Sequence, residues 1–231
     1  MKKKILITLL IIIVIALIGV GYFVFTDMQQ EEKLKTELTE LSELSNAQNI
    51  DIDEINNRLD RIVTKGDYSI VEEAFKTYLR ENFDNSIKIA NILNDEKITS
   101  LLTVENYKED GKDFIKSKDY ITTTKTTLED CKNKYTEFLT EEKAMSYIKD
   151  KGLDSYYTDL YKEEFVGDMS SASQDTTVQD SIDEIIKLLN TSEKVLNLLS
   201  ENQNSWELDG ENIVFDNQNL SNQYDELINS L

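Results

Sequence analysis

The sequence predicts an all-α protein: an N-terminal transmembrane helix, then an elongated antiparallel helical bundle with one small β-hairpin near the C-terminus. Three observations carry that expectation. The 231 residues contain no proline, where average usage of about 5% would place roughly eleven, so long helices can run without forced kinks. Apolar residues recur at three- and four-residue spacing along most of the chain, the period of a helix with one buried face. Residues 5–25 form an uncharged run of Ile, Leu, Val and aromatic residues, about 30 Å long as a helix and enough to cross a hydrocarbon core.

The elements follow in order. Lys2, Lys3 and Lys4 precede the apolar run, and Asp27, Glu31 and Glu32 follow it. The positive-inside bias therefore predicts a cytoplasmic stub at 1–4 and an anchor at 5–26. The remainder would lie outside a bacterial cytoplasmic membrane, with Tyr22, Phe23 and Phe25 at the interface. Gly19 and Gly21 could serve a signal-peptide cleavage site, but the run exceeds the usual apolar length of such peptides and continues past them. With the three lysines set aside, 22 basic and 45 acidic residues remain, a net of -23.

From Leu34 a heptad runs through Leu38, Leu41, Ser45, Gln48, Ile52, Ile55, Leu59 and Ile62, which predicts a helical stalk over 27–65 with a polar interruption at 45–49. The seam could pack on the protein's own bundle or pair with a second chain. Residues 66–231 read as a helical domain. Gly66 closes the stalk, and Ser69 with Glu72 has the spacing of a capping box that opens the next helix. The apolar stripe of that helix includes Val71, Phe75, Tyr78, Leu79 and Phe83, and a break is expected at 94–99.

A long helical pattern follows from Leu102 to Phe138, weakened by Gly111 and the Thr122–Thr124 run, so it could be two helices. A shorter helix ends near Gly152. Residues 155–166 are aromatic-dense, and 167–177 are small and polar, as in a flexible loop. A strong helix runs from Val178 to Leu199. Trp206 to Phe215, with Asp209-Gly210-Glu211-Asn212 at its centre, reads as a hairpin. A final helix carries Leu220, Tyr224, Leu227, Ile228 and Leu231.

Composition removes whole reaction classes. Zero histidine excludes Ser-His-Asp and Cys-His catalysis and His-ligated metals. One cysteine excludes an internal disulfide or a multi-thiolate site. A net charge of -20 disfavours a nucleic-acid partner, because phosphate contacts need a basic face. No P-loop, G-x-S-x-G or S-x-x-K pattern occurs. Carboxylates alone are abundant, and with 45 of them some pairs fall at hydrolase distances by chance.

Cys131 lies in an apolar stripe with Leu128 and Tyr135, which predicts burial. Asp51, Asp53 and Glu54 lack the glycine and distal glutamate of a calcium loop and read as a helix start. No catalytic residue, cofactor or metal ligand is assigned. The candidate partner or ligand surface is Leu34, Leu38 and Leu41 on the stalk, with Tyr156, Tyr157, Tyr161 and Trp206 as an aromatic group, although at helical spacing such residues are more often core.

The C-terminal pattern, with Leu198-Leu199, Trp206, Leu208, Gly210, Ile213, Phe215, Gln218, Tyr224, Leu227 and Ile228, resembles the tail of a family of helical bacterial envelope lipoproteins of unknown function. In that family a hairpin ending in Ile-x-Phe precedes a Tyr-x-x-Leu-Ile helix. The resemblance covers Leu196 to Leu231 and implies an exported helical domain, with no activity or ligand; this chain has no cysteine near its apolar run to lipidate. The expected function is a non-enzymatic binding or scaffolding module of the cell envelope, its partner another envelope protein or a second copy through the stalk. The alternatives are a cell-wall glycan or small-ligand binder using a tyrosine-rich cleft, and a carboxylate-dependent cell-wall hydrolase.

Overall fold

A computed structural model describes residues 28–45, 51–166 and 176–231. Its helices are α1 (Met28–Ser45), α2 (Ile52–Asp60), α3 (Asp67–Leu93), α4 (Glu96–Ser100), α5 (Val104–Asp110), α6 (Ile115–Phe138), α7 (Glu141–Ser146) and α8 (Ser155–Tyr161). A π-helical turn, Lys162–Val166, continues α8; then come α9 (Thr177–Glu201), strands β1 (Trp206–Asp209) and β2 (Asn212–Phe215), and α10 (Gln218–Asn229). The structure is a mostly helical bundle with one two-stranded antiparallel hairpin near the C-terminus.

One part of the expectation is corrected. Among the described residues, no helix is long and apolar enough to cross a membrane. The longest, α3, has 27 residues but carries Glu72, Glu73, Lys76, Arg80 and Glu81 within three turns, whereas a span needs about 20 predominantly apolar residues. The transmembrane helix and the single-pass membrane localisation are therefore withdrawn; the stub at 1–4 and the segment 5–26 on which they rested lie outside the described residues. Most of the expected loop at 167–177 also lies outside them.

The chain divides into two compact units, one of residues 1–90 with 131–178 and the other of residues 91–130 with 179–231. In the first unit, Leu34, Leu38 and Leu41 of α1 share a core with Ile55 and Leu59 of α2, with Val71, Phe75, Leu79 and Phe83 of α3, and with Phe138, Ile148 and Tyr161. The predicted heptad is thus folded back within its own unit. Ile52 and Ile62, which would continue the seam, are each 45% exposed. Asp51 caps α2 by accepting a 3.0 Å hydrogen bond from the Glu54 N–H, the role expected of a helix start.

The start of α3 differs from the capping-box reading. The helix begins at Asp67, and the Ser69 hydroxyl donates back to the Gly66 carbonyl at 2.6 Å. Glu72 instead reaches past the helix start and accepts from the backbone N–H groups of Val63 and Thr64. Cys131 is buried as a thiol, and the carbonyl of the same residue accepts from Asn85 Nδ2 at 3.0 Å.

In the second unit, α5 ends at Gly111, which adopts φ +75 and caps the helix. The long pattern there is therefore two helices, the conformation at the joint being one that glycine adopts without strain. The threonine run does not break α6: the Thr122, Thr126 and Thr127 hydroxyls each donate to the carbonyl four residues earlier. Phe114, just before α6, holds φ +53 although it is not glycine. It is fully buried and stacks on Trp206 with centroids 6.2 Å apart and planes 12° apart. Gly210, φ +64, occupies the first central position of the two-residue hairpin turn between Asp209 and Asn212, where a type II′ turn requires positive φ.

The core of the first unit predicts a sharp contrast. Leu38→Ala, at a fully buried position, should lower unfolding stability by about 2–5 kcal/mol in urea titrations. Ile115→Ala, at a residue 71% exposed, should change it by no more than about 0.5 kcal/mol.

Candidate functional site

Among the described residues, the densest gathering of ionisable groups lies in the first unit, where α1, the end of α2 and α3 meet around Lys76. That side chain is 2% exposed, and its ammonium contacts Glu37 of α1 at 2.9 Å and Glu72, one turn earlier on α3, at 2.8 Å. It also donates to the carbonyls of Arg58 and Arg61, at 2.7 and 2.8 Å. Glu72, fully buried, accepts from Thr64 Oγ1 at 2.7 Å and from the Thr64 N–H at 2.9 Å.

Outward from this centre lies a second layer of charge. Glu37 accepts from Arg61 Nε at 2.9 Å and from a terminal guanidinium nitrogen of the same residue. Arg58 contacts Glu37 at 3.2 Å and Glu54 at 2.9 Å, and it also pairs with Glu40. Nearby, the Tyr68 hydroxyl donates to Glu31 at 2.7 Å, and Gln30 accepts from the Lys65 N–H at 2.9 Å.

Sequence explains why these groups meet. Glu37 stands three residues after Leu34 and four before Leu41, so a helix places it on the buried face of α1. Glu72 and Lys76 are spaced i,i+4 along α3, and their opposite signs suit adjacent turns.

Burial alone would raise the Glu37 carboxyl, but hydrogen bonds from Arg61 and Lys76, with their charges, outweigh it and hold the group below its ordinary 4.5. Burial and the hydrogen bond to Glu31 both push the Tyr68 hydroxyl upward, so it stays neutral. In the second unit, burial would raise Asp110, but hydrogen bonds from Ser117 and from the Lys116 N–H lower it below 3.8. That carboxylate closes the N-terminus of α6, accepting at 3.0 and 2.7 Å from the two backbone N–H groups.

Two clefts flank these structures in the first unit. One, of about 480 Å³, follows α1 and is lined by Gln29, Glu32, Thr36, Glu37, Glu40 and Arg61 among others. The other, of about 370 Å³, is lined by Glu81, Asp84, Lys88, Lys134, Glu137 and Lys143 among others. Beside it the Tyr147 hydroxyl donates to Glu81 at 2.5 Å, and the Lys143 ammonium lies 5.3 and 5.2 Å from the Phe138 and Tyr147 ring centres. Both clefts are rimmed by charges of mixed sign.

The residues singled out from sequence fall mostly inside. Leu34, Leu38 and Leu41 are buried in the first core. Tyr161 is fully buried and donates its hydroxyl to the Ala144 carbonyl at 3.1 Å. Tyr157 is half-buried, its ring edge-on to Tyr68 and Tyr156 at 5.2 Å in each case. Tyr156, at 37% exposed, is the most open member of the set. Trp206 is buried in the second unit, its indole N–H donating to the Leu199 carbonyl at 2.8 Å. Five of these seven, Leu34, Leu38, Leu41, Tyr161 and Trp206, are therefore buried.

Sequence reading did not single out Lys76, Glu37, Arg58 or Arg61, and it gave Glu72 a capping role at the start of α3 instead of a place in this cluster. The available signal was charge of opposite sign at apolar-face positions of two neighbouring helices. Together, fold and ionic centre define a helical protein with a buried ion-pair cluster and a C-terminal hairpin. No family model matches the chain, and no curated protein or solved structure matches it either.

The lowered Glu37 carboxyl gives a pH prediction. A group depressed in the folded state contributes stability above its unfolded value and loses that contribution as pH falls through the folded value. Urea midpoints followed from about pH 7 to about pH 3 should fall for the wild type once pH drops below about 4.5, and Glu37→Gln should show a shallower decline.

Proposed function

We propose that this chain is a non-enzymatic binding or scaffolding module that works by holding a partner protein. The observation that supports the reading is the commitment of its gathered ionisable groups to architecture. A general acid or base works best with a pKa near the operating pH, whereas Glu37 and Asp110 are both held below the ordinary carboxylate range. The Asp110 carboxylate closes the N-terminus of α6, and Glu37 ties α1 to Arg61 and to Lys76 of α3. Of the aromatic residues that could have stacked on a glycan, Tyr161 and Trp206 are buried.

Crosslinking the full chain in its source cells and then purifying it tests this reading. The expected result is one reproducible, near-stoichiometric protein partner. Recovery of no partner above a mock control contradicts it, as does peptidoglycan digestion by the purified chain that disappears when an acidic pair is replaced.

A further inference from the structure

The stretch 195–231 carries seven acidic residues and neither lysine nor arginine. It contains the hairpin and α10, both in the second unit. The apolar stripe of α10 is Leu220, Tyr224, Leu227 and Ile228, and Leu231 extends it by one more step of helical spacing. Burial falls along this stripe. Leu220 is 4% exposed, Tyr224, Leu227 and Ile228 are half-buried, and Leu231 is 53% exposed.

The hairpin contributes to the same surface. Trp206 pairs with Phe215 and Leu208 with Ile213, so these four side chains share one face of the two-stranded sheet. On that face, Trp206 is buried while Leu208, Ile213 and Phe215 are half-buried. Phe215 meets Tyr224 of α10 with ring centroids 5.2 Å apart. The helix and hairpin thus meet at Phe215 and Tyr224, and exposure along the stripe rises from Leu220 to Leu231.

The rim is mostly acidic. Glu211 at the turn, Asp216 after β2, and Asp225 and Glu226 on α10 are all exposed, whereas Glu207 and Asp209 lie with Val214 on the other face of the hairpin. Two cations from elsewhere in the unit reach the hairpin, and both bind its backbone. Lys108 donates to the Gly210 carbonyl at 3.1 Å, and Lys112 donates to the Trp206 carbonyl at 2.8 Å while lying 4.6 Å from the ring centre.

A half-covered apolar stripe with an acidic rim suits a helix that presents apolar anchors flanked by Lys and Arg, laid along the stripe. A second copy is disfavoured, because a two-fold contact would bring each acidic rim against its twin. An anionic membrane surface repels the same rim. We propose that the hairpin and α10 together dock a basic amphipathic helical segment of a partner protein. The proposal rests on the binding-module reading and names where that binding occurs.

The test uses isotopically labelled full-length chain, titrated with a synthetic helical peptide of Leu and Lys, and separately with its Leu and Glu counterpart. The expected result is saturable amide shift changes confined to the hairpin and α10 with the Lys peptide, and none with the Glu peptide. Leu231→Lys, at an exposed position that the fold does not need, should weaken binding about tenfold. Val214→Lys adds the same charge at a residue 51% exposed on the other face of the hairpin and should leave affinity nearly unchanged.

Equal weakening by both variants overturns the proposal, because it would show charge attraction without docking on the stripe. Shifts spread over both units overturn it as well, as do concentration-dependent self-association through α10 and binding to phosphatidylcholine vesicles by the same residues. If a native partner is captured but perturbs only other amides, this docking site is wrong and the binding role stands. If no partner is captured, the binding role itself fails.

Discussion

The first unit depends on one buried ammonium. Lys76 answers Glu37 from α1, Glu72 from its own helix, and two carbonyls at the end of α2 and just beyond it. Removing such charges from water costs several kcal/mol per ion, and that cost is met only when every partner is in place. Three pieces of chain must therefore arrive in one register. Glu72 adds a second constraint by accepting from the backbone of 63 and 64, fixing the extended segment that joins α2 to α3. Leucines alone would tolerate sliding of α1 along α3; a buried ammonium between two carboxylates does not.

The second unit reaches definition by other means. Its fixed point is aromatic: Tyr107, Phe114 and Trp206 meet with centroids 5.3 to 6.4 Å apart. Phe114 keeps a left-handed backbone there, a conformation costing of order 1–3 kcal/mol for a side-chain-bearing residue, which its complete burial against Trp206 offsets. Lys112 lies over the indole and holds the strand carbonyl, so the hairpin is fastened at its first residue. Charge is used sparingly inside this unit and lies mostly on its surface. The docking surface proposed for the hairpin and α10 follows from that division.

Local rules recovered much of this. The end of α3, the glycine joint between α5 and α6, the hairpin and the stripe of α10 were legible because each depends on neighbouring residues and backbone chemistry, whereas the short α4 falls mostly within the stretch read as a break. Where long-range geometry decides, the reading diverged. The heptad from Leu34 to Ile62 resumes in step after its polar interruption at 45–49, yet Ile52 and Ile62 face solvent while Leu34, Ile55 and Leu59 share one core. Ser69 and Glu72 have capping-box spacing, but Glu72 serves residues eight and nine positions away. The ionic centre joins positions up to 39 residues apart, beyond any local periodicity. Tyr161 and Trp206 could have been surface or core by spacing alone, and packing made them core.

The central claim is that Lys76 and Glu37 act as a coupled pair that fixes α1 against α3. A double-mutant cycle with Lys76→Met, Glu37→Gln and both together, followed by urea unfolding at neutral pH, measures that coupling directly. The account predicts that the double variant loses less stability than the two single losses added, by about 1–3 kcal/mol. Losses that add to within about 0.5 kcal/mol would show two independent residues and contradict it.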